Sequence, residues 1–146
     1  MIFVDTWAWV ALAVDGDQYH AAAERQHRLL EKRRRRYVTT DFVLGEVITH
    51  LYRIQVPAEA QEFILALVEA ADNGVHQLVH ISPRQFRRAW EMRQKYDDKP
   101  DISFVDFTSM VVMQDLGISD VFTGDAHFQH VNLGFRLFPC LPAIRR

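Results

Sequence analysis

Short apolar segments alternate along this chain with longer segments of helical periodicity. The apolar segments cover residues 2–4, 37–39, 75–81, 121–123 and 135–138. Each has the length of a buried strand, and the segments between them carry apolar residues at the spacing of one helix face. Strands that alternate with helices favour an α/β fold with a mostly parallel central sheet flanked by helices.

Local signals place the helices. We expect helices near residues 6–13, 18–34, 41–52, 58–72, 83–96 and 104–116, from their apolar spacing, caps and stop signals. Asp17 can cap the second helix, and Thr40 or Asp41 the third. The last of these helices is apolar almost all round, which predicts a position at the centre of the fold.

Size and composition predict one globular unit. The chain has 146 residues, of which 49% are hydrophobic and 25% charged, so we expect a single domain over residues 1–146. The only cysteine, Cys140, excludes an intramolecular disulfide framework and is typical of a reducing cytoplasm. Asp5 interrupts the apolar first segment, which is too short to span a bilayer, so we expect a cytoplasmic protein without a membrane segment.

Four acidic residues lie where a buried segment gives way to a loop or a helix. Asp5 follows the first strand and Asp125 the fourth, while Glu46 and Asp106 lie in early turns of helices. Ligand sites in parallel sheets form beyond the carboxyl ends of the strands, so all four can border one hollow. Clustered carboxylates either hold protons at raised pKa or bind a cation, and oxygen ligands favour Mg²⁺ or Mn²⁺.

Each acid also has a simpler local explanation. Asp106 could form a capping box with Ser103, Asp5 could cap the first helix, and Asp125 could be a turn residue. Glu46 is harder to explain in this way, because an unpaired carboxylate among apolar neighbours is costly to bury. The four acids taken together favour the metal site.

Four motifs occur in order over nearly the whole chain. They are Val4-Asp5-Thr6, Thr40-x-x-Val43-x-x-Glu46, Asp98-Lys99-x-x-x-Ser103-Phe104-x-Asp106 and Thr123-x-Asp125-x-x-Phe128. Together they resemble the PIN domain nucleases, and most of all the VapC-type toxins of bacterial toxin–antitoxin pairs. Asp17 and His20 also resemble residues of a common subset of these toxins.

The resemblance implies a Mg²⁺- or Mn²⁺-dependent endoribonuclease with a PIN-like fold. Asp5, Glu46, Asp106 and Asp125 would be its catalytic and metal-binding acids, supported by Thr6, Ser103 and Thr123. A metal-activated water would attack an RNA phosphodiester. The resemblance further implies the toxin role in a type II pair, a cognate antitoxin as partner, and a homodimer.

Two residues depart from the commonest form of these motifs. Trp7 follows Thr6 where a small polar residue is frequent, and Gly124 stands beside Asp125. We expect both departures to affect substrate contacts rather than the set of acids. Trp7 and Trp9 are otherwise interpreted as core or partner-groove residues.

A basic run interrupts the slightly acidic composition. Seven of the seventeen lysines and arginines fall between Arg25 and Arg36, and Lys32 to Arg36 are all basic. The run could complement the dipole at a helix end, or it could bind the RNA backbone. The candidate RNA contacts are Arg33, Arg34, Arg35 and Arg36.

Other residues carry weaker signals. His127-x-x-His130 is the spacing of a zinc pair, but no further zinc ligands accompany it, so a packed or exposed pair is the favoured interpretation. Asp98 and Asp101 are expected to order the loop before the helix of Asp106, and one of them could bind metal through water.

Two other classes of function are compatible with parts of the pattern. The first is a catalytically silent PIN-fold module that binds RNA or protein, although the intact set of acids favours an enzyme. The second is a Mg²⁺-dependent receiver-type signalling domain. A receiver needs adjacent acids after its first strand, whereas Asp5 stands alone.

Overall fold

The computed structural model describes residues 1–139, so Cys140 lies outside the described residues. It contains five strands, β1 (Ile2–Val4), β2 (Tyr37–Thr40), β3 (Gln77–Val79), β4 (Asp120–Phe122) and β5 (Arg136–Phe138). They form one sheet of order β3-β2-β1-β4-β5, in which all neighbouring strands are parallel. The predicted α/β fold with a parallel sheet is confirmed.

Helices connect the strands, and six of them match the predicted segments. The described residues contain α1 (Thr6–Ala13), α2 (His20–Lys32), α3 (Asp41–Ile54), α4 (Pro57–Asp72), α5 (Pro83–Lys95), α6 (Phe104–Leu116) and α7 (His127–His130). The short helix α7 lies outside the six segments that the sequence predicts to be helical.

The second helix is shorter at both ends than predicted. Asp17 accepts a hydrogen bond from the backbone N–H of Tyr19 at 2.7 Å, which forms a turn before the helix rather than its cap. At the other end, Arg34 adopts φ of 54°, and this left-handed conformation does not continue a helix. His20 donates from Nδ1 to the carbonyl of Ala11 at 2.8 Å and so links α2 to α1.

The core surrounds β1 and α6. All three residues of β1 are buried, as are eight consecutive residues of α6 from Asp106 to Met113. This confirms the predicted central position of that helix. The Trp9 ring is 4% exposed and its N–H donates to Thr39 Oγ1 at 3.3 Å, so Trp9 is a core residue.

The order of the strands reverses between β1 and β4. The chain proceeds outward on one side through β2 and β3 and on the other side through β5. Parallel sheets bind ligands beyond the carboxyl ends of the strands at such a point. Receiver domains have the order 2-1-3-4-5 instead, so the receiver alternative is wrong.

Within residues 1–139, every helix is too short or too polar to cross a membrane.

Candidate active site

Asp5 lies at the carboxyl end of β1, at the reversal point of the sheet. Its backbone N–H donates to the carbonyl of Phe122 in the neighbouring strand β4, at 3.2 Å. Its side chain is buried, with the residue 3% exposed. Oδ2 accepts a hydrogen bond from Thr123 Oγ1 at 2.9 Å, whereas Oδ1 is buried without a hydrogen-bond partner among the described residues.

Thr123 joins Asp5 to Asp125. While its hydroxyl donates to Asp5, the same oxygen accepts the backbone N–H of Asp125 at 3.0 Å. The Asp125 carboxylate in turn accepts the backbone N–H of His127 at 2.9 Å, at the start of α7. The carboxyl end of β4 and the loop after it are therefore fixed against the carboxyl end of β1.

Asp106 reaches the same point from α6. Ser103 Oγ accepts the Asp106 N–H at 3.0 Å, and Asp106 Oδ2 accepts the Ser103 N–H at 3.3 Å. The capping box considered as a simpler explanation is therefore present. It does not remove Asp106 from the site, because the cap holds the buried carboxylate where it faces the loop after β4.

His127 completes this cluster. Its Nδ1 lies 3.3 Å from Asp106 Oδ2 and 3.1 Å from Asp125 Oδ1. Ligand atoms of Asp106, Asp125 and His127 all lie within 4.8 Å of one another, which is close enough to hold one ion. His130 is exposed, with its ring 5.9 Å from that of His127.

His127 is not among the site residues predicted from the sequence, whereas the structure packs its ring against two of the acids. A signal was present in the sequence, because His127 follows Asp125 by two residues. Only the turn of α7 brings the ring back onto the two carboxylates.

Glu46 lies on the α3 side of the site. Its Oε1 accepts a hydrogen bond from Thr6 Oγ1 at 2.8 Å, across the junction of α1 and α3. Its other oxygen, Oε2, has no hydrogen-bond partner within residues 1–139. Glu46 is not in the compact group with Asp106, but it is near enough for the two carboxylates to repel each other.

The electrostatics of the site show crowded negative charge. Burial raises the pKa of Asp5 well above its ordinary value, and repulsion by Asp106 and Asp125 raises it further. Burial also raises the pKa of Glu46, against the hydrogen bond from Thr6. The pKa of His127 is raised chiefly by its hydrogen bond to Asp106, so the imidazolium is favoured beside the two acids.

These residues fit a divalent cation. The unpaired Asp5 Oδ1 is the observation that decides this, because a buried carboxylate oxygen without a partner is costly unless an ion or water satisfies it. Carboxylate oxygens from several elements are the ligands that Mg²⁺ and Mn²⁺ prefer. The repulsion that raises the pKa of Asp5 would become attraction to such an ion.

Trp7 and Gly124 form one wall beside the acids. A Cβ added at Gly124 would lie 2.3 Å from Cε2 of the Trp7 indole, so only glycine allows the ring to rest there. The indole also contacts the ring of Tyr19, with ring centroids 5.4 Å apart. The two departures in the motifs are therefore a matched pair.

The basic run lies at the opposite edge of the sheet from the acids. Arg36 immediately precedes β2, and strands of three or four residues place the two edges about 10–13 Å apart. Arg35 donates to the buried carboxylate of Asp120 at 2.9 Å, and Arg136 binds the same group. The side chains of Arg33, Arg34 and Arg36 are exposed.

The loop before α6 is acidic and exposed. Asp98 pairs with Lys99 at 3.4 Å. The charge of Asp101 is one of the smaller contributions that raise the pKa of His127, after the hydrogen bond that His127 donates to Asp106. This loop therefore adds negative charge near the site.

Comparison with known proteins agrees with this geometry. Residues 2–133 match the PIN domain family. The 23S rRNA-specific endonuclease VapC20 of Mycobacterium tuberculosis, from strains CDC 1551 / Oshkosh and ATCC 25618 / H37Rv, is 33% identical over 128 residues, which are 88% of this chain and 92% of the relative.

A solved structure gives the same result. The crystal structure of Mycobacterium tuberculosis VapC20, described as a sarcin-ricin loop cleaving toxin, matches with a TM-score of 0.78 and 31% identity. The match covers 93% of this chain and 97% of that chain. The chain therefore belongs to the PIN domain family and is a homologue of the VapC-type endoribonucleases.

Proposed function

We propose that this protein is a Mg²⁺- or Mn²⁺-dependent endoribonuclease that acts as the toxin of a type II toxin–antitoxin pair. The main observation that supports this proposal is that Asp5, Asp106 and Asp125 come together where the strand order reverses. One oxygen of Asp5 is also buried there without a hydrogen bond from the described residues. Glu46 borders the same site through Thr6.

The similarity to VapC20 supports ribosomal RNA as the substrate class. That relative is named a 23S rRNA-specific endonuclease and a sarcin-ricin loop cleaving toxin. We propose the same loop of 23S rRNA for this chain, because the similarity extends over nearly the full length of both proteins.

The acids Asp5, Glu46, Asp106 and Asp125 would hold the cation. When bound, it supplies positive charge to the phosphoryl oxygens and increases the acidity of water. The supporting hydroxyls keep the acids in place before RNA arrives: Thr123 holds Asp5, and Thr6 holds Glu46. Such preorganisation matters because a misplaced group costs catalysis steeply.

The reaction is hydrolysis of a phosphodiester. A water oxygen forms a bond to phosphorus as the bond to the 3′ oxygen breaks, which leaves a 5′ phosphate and a 3′ hydroxyl. No side chain needs to act as nucleophile. Each of the four acids has one carboxylate oxygen that accepts no hydrogen bond from the described residues and is available for ions and water. These oxygens are Asp5 Oδ1, Glu46 Oε2, Asp106 Oδ1 and Asp125 Oδ2.

Further parts of the proposal concern partners and substrate contacts. Arg33, Arg34 and Arg36 are exposed and would contact the RNA backbone away from the cut, while Arg35 also binds Asp120.

We also propose that residues 1–146 form one domain. This domain would form a homodimer, and a cognate antitoxin would inhibit it.

The decisive experiment is a cleavage assay on purified bacterial ribosomes, naked 23S rRNA and a synthetic sarcin-ricin hairpin. Wild type would be compared with Asp5→Asn and Asp106→Asn, in Mg²⁺, Mn²⁺ or EDTA, with cut sites mapped by primer extension. Asp115→Asn is the matched control, because Asp115 is an exposed acid paired with Arg88 and remote from the cluster.

We expect one metal-dependent cut in the loop that both site variants lose and the control retains. Cleavage of other RNA only would correct the substrate and leave the enzyme class intact. Equal cleavage by wild type and Asp106→Asn, or none by any protein in any metal, would favour the silent binding module instead.

The partner proposals have separate tests. Expression in bacteria should stop growth, and co-expression of the small protein encoded next to this gene should restore it. Light scattering on the purified protein should give twice the monomer mass. Equal toxicity with either neighbour would contradict a toxin–antitoxin pair, and a monomer mass would contradict the dimer.

A further inference from the structure

A cleft opens on the α3 side of the acidic site. Its volume is about 400 Å³, and it is lined by Thr6, Gly45, Glu46, Thr49, His50 and Arg53. Two of these residues, Thr6 and Glu46, are joined by the hydrogen bond that borders the site. The cleft is therefore continuous with the place where we propose that RNA is cut.

Charge changes sign along this cleft. Glu46, His50 and Arg53 lie four and seven positions apart on α3, so they share one face of the helix. At 1.5 Å per residue, the backbone of Arg53 is about 10 Å along the axis from that of Glu46. One end of the cleft is thus acidic and the other end is basic.

The guanidinium of Arg53 is available to a ligand. Within residues 1–139 it has no carboxylate at ion-pair distance and no hydrogen-bond acceptor. Other arginines of this protein are committed: Arg88 binds Asp115, and Arg93 donates to backbone carbonyls. Arg53 lies in the last turn of α3, where the helix dipole favours a cation, but that effect does not explain its place in the cleft wall.

We propose that His50 and Arg53 form a phosphate subsite that holds a neighbouring phosphodiester of the RNA strand being cleaved. This inference rests on the proposed function. A guanidinium binds phosphate oxygens through two parallel hydrogen bonds, and Thr49 adds a hydroxyl to the same wall.

The position of the cleft favours RNA over an acidic peptide as the occupant. The basic end leads directly to the acids that would receive the scissile phosphate, so a strand lying in the cleft would present successive phosphates to both ends. A peptide would gain nothing from the acidic end unless it carried a basic side chain there.

The test compares Arg53→Ala, Arg53→Lys and His50→Gln with wild type on the synthetic hairpin, or on whichever RNA the cleavage assay identifies. For Arg53→Ala we expect KM to rise about tenfold, with kcat changed less than about twofold, because the subsite binds substrate and transition state alike. The slope of log(kcat/KM) against log salt should flatten by about 0.7–0.9, the loss of one phosphate contact.

Conservative and remote variants separate binding from folding. Arg53→Lys should recover part of the affinity, because a lysine keeps the charge but loses the bidentate geometry. Arg87→Ala, on the exposed face of α5, should leave KM and the salt slope unchanged. Melting temperatures of all variants would show whether any effect comes from lost structure.

The outcomes distinguish this inference from the proposed function. Unchanged KM and salt slope in Arg53→Ala, with Asp106→Asn still inactive, would overturn the subsite and leave the nuclease intact. Activity in Asp106→Asn equal to wild type would overturn the nuclease itself. If Arg53→Ala keeps its KM but loses affinity for the co-expressed antitoxin, the cleft binds protein and the RNA subsite is wrong.

Discussion

The contact between Trp7 and Gly124 shows how the absence of one side chain can determine the position of a large ring. The indole occupies the space of a Cβ at position 124, immediately beside Asp125. Any larger residue there would displace the indole from the wall of the site. A large ring next to the acids and a glycine facing it therefore depend on each other, although 117 positions separate them in the sequence.

Asp5 carries the clearest prediction at the scale of one residue. A carboxyl group whose folded-state pKa is raised lowers stability at neutral pH, because the folded protein must hold a charge that its surroundings disfavour. In EDTA at pH 7.5, Asp5→Asn should therefore be more stable than wild type and should melt at a higher temperature.

Added Mn²⁺ should reverse this difference. Wild type should gain stability with metal concentration, as a ligand of the folded state requires, and Asp5→Asn should gain much less. Asp115→Asn is a control of opposite sign: Arg88 lowers the pKa of Asp115, so its loss should destabilise slightly in EDTA. A less stable Asp5→Asn with a full metal response would contradict the assignment of Asp5.

At the scale of elements, two helices begin with the same device. Both α5 and α6 have capping boxes, formed by Ser82 with Gln85 and by Ser103 with Asp106. Only the second box contains an acid of the proposed site. The two capping boxes can therefore be compared directly. They have the same local structure, but only the box of α6 is linked to the proposed site.

We expect Ser82→Ala and Ser103→Ala to cost similar stability, about 1 kcal/mol each in chemical denaturation, because each removes one helix cap. Their effects on cleavage should differ. Ser103→Ala should lower kcat/KM by about tenfold, since the backbone N–H of Asp106 loses its bond to Ser103 Oγ and the first turn that positions the carboxylate loosens. Ser82→Ala should have little effect on cleavage. Equal activities in the two variants would mean that the cap does not position Asp106.

In the whole molecule, two different networks of charged side chains lie at the two opposite edges of the sheet. The carboxyl edge gathers acids whose charges repel, and the amino edge pairs the buried Asp120 with Arg35 and Arg136. Under the proposed function the first network binds a cation, whereas the second is satisfied within the described part of the chain. The proposed site and the buried ion pairs therefore lie on opposite edges of the sheet.

Stability against pH should depend on a histidine far from the site. His76 stacks on Tyr37, with ring centroids 5.3 Å apart and planes 20° from parallel, and burial lowers its pKa. Because the unfolded chain then binds a proton more readily, its contribution to stability is complete above about pH 6.5 and is lost as pH falls through the unfolded pKa.

The measurement compares wild type with His76→Phe, which keeps a ring against Tyr37 but cannot titrate. Urea denaturation in EDTA from pH 5 to 8 should show wild type losing stability relative to the variant below about pH 6.5. EDTA keeps the acidic site in one state in both proteins. A difference between the two proteins that stays constant across this range would contradict the role of His76.

Local physics explains what could be predicted from the sequence. Apolar periodicity and caps act between residues a few positions apart, so the five strands and six of the helices were predicted within a few residues, as for Phe104–Leu116 with its Ser103 cap. The same reasoning placed four acids at the ends of elements. It missed α7, because four residues are too few to show a period.

Which ends of the strands and helices come into contact depends on the tertiary structure. Asp5 and Thr123 are 118 positions apart, and they touch only because the strand order places β1 beside β4. The same order brings His127 between Asp106 and Asp125 and commits Arg35 to Asp120. Local patterns in the sequence therefore predict the elements and the chemistry at their ends, whereas the contacts between distant ends depend on how the whole sheet assembles.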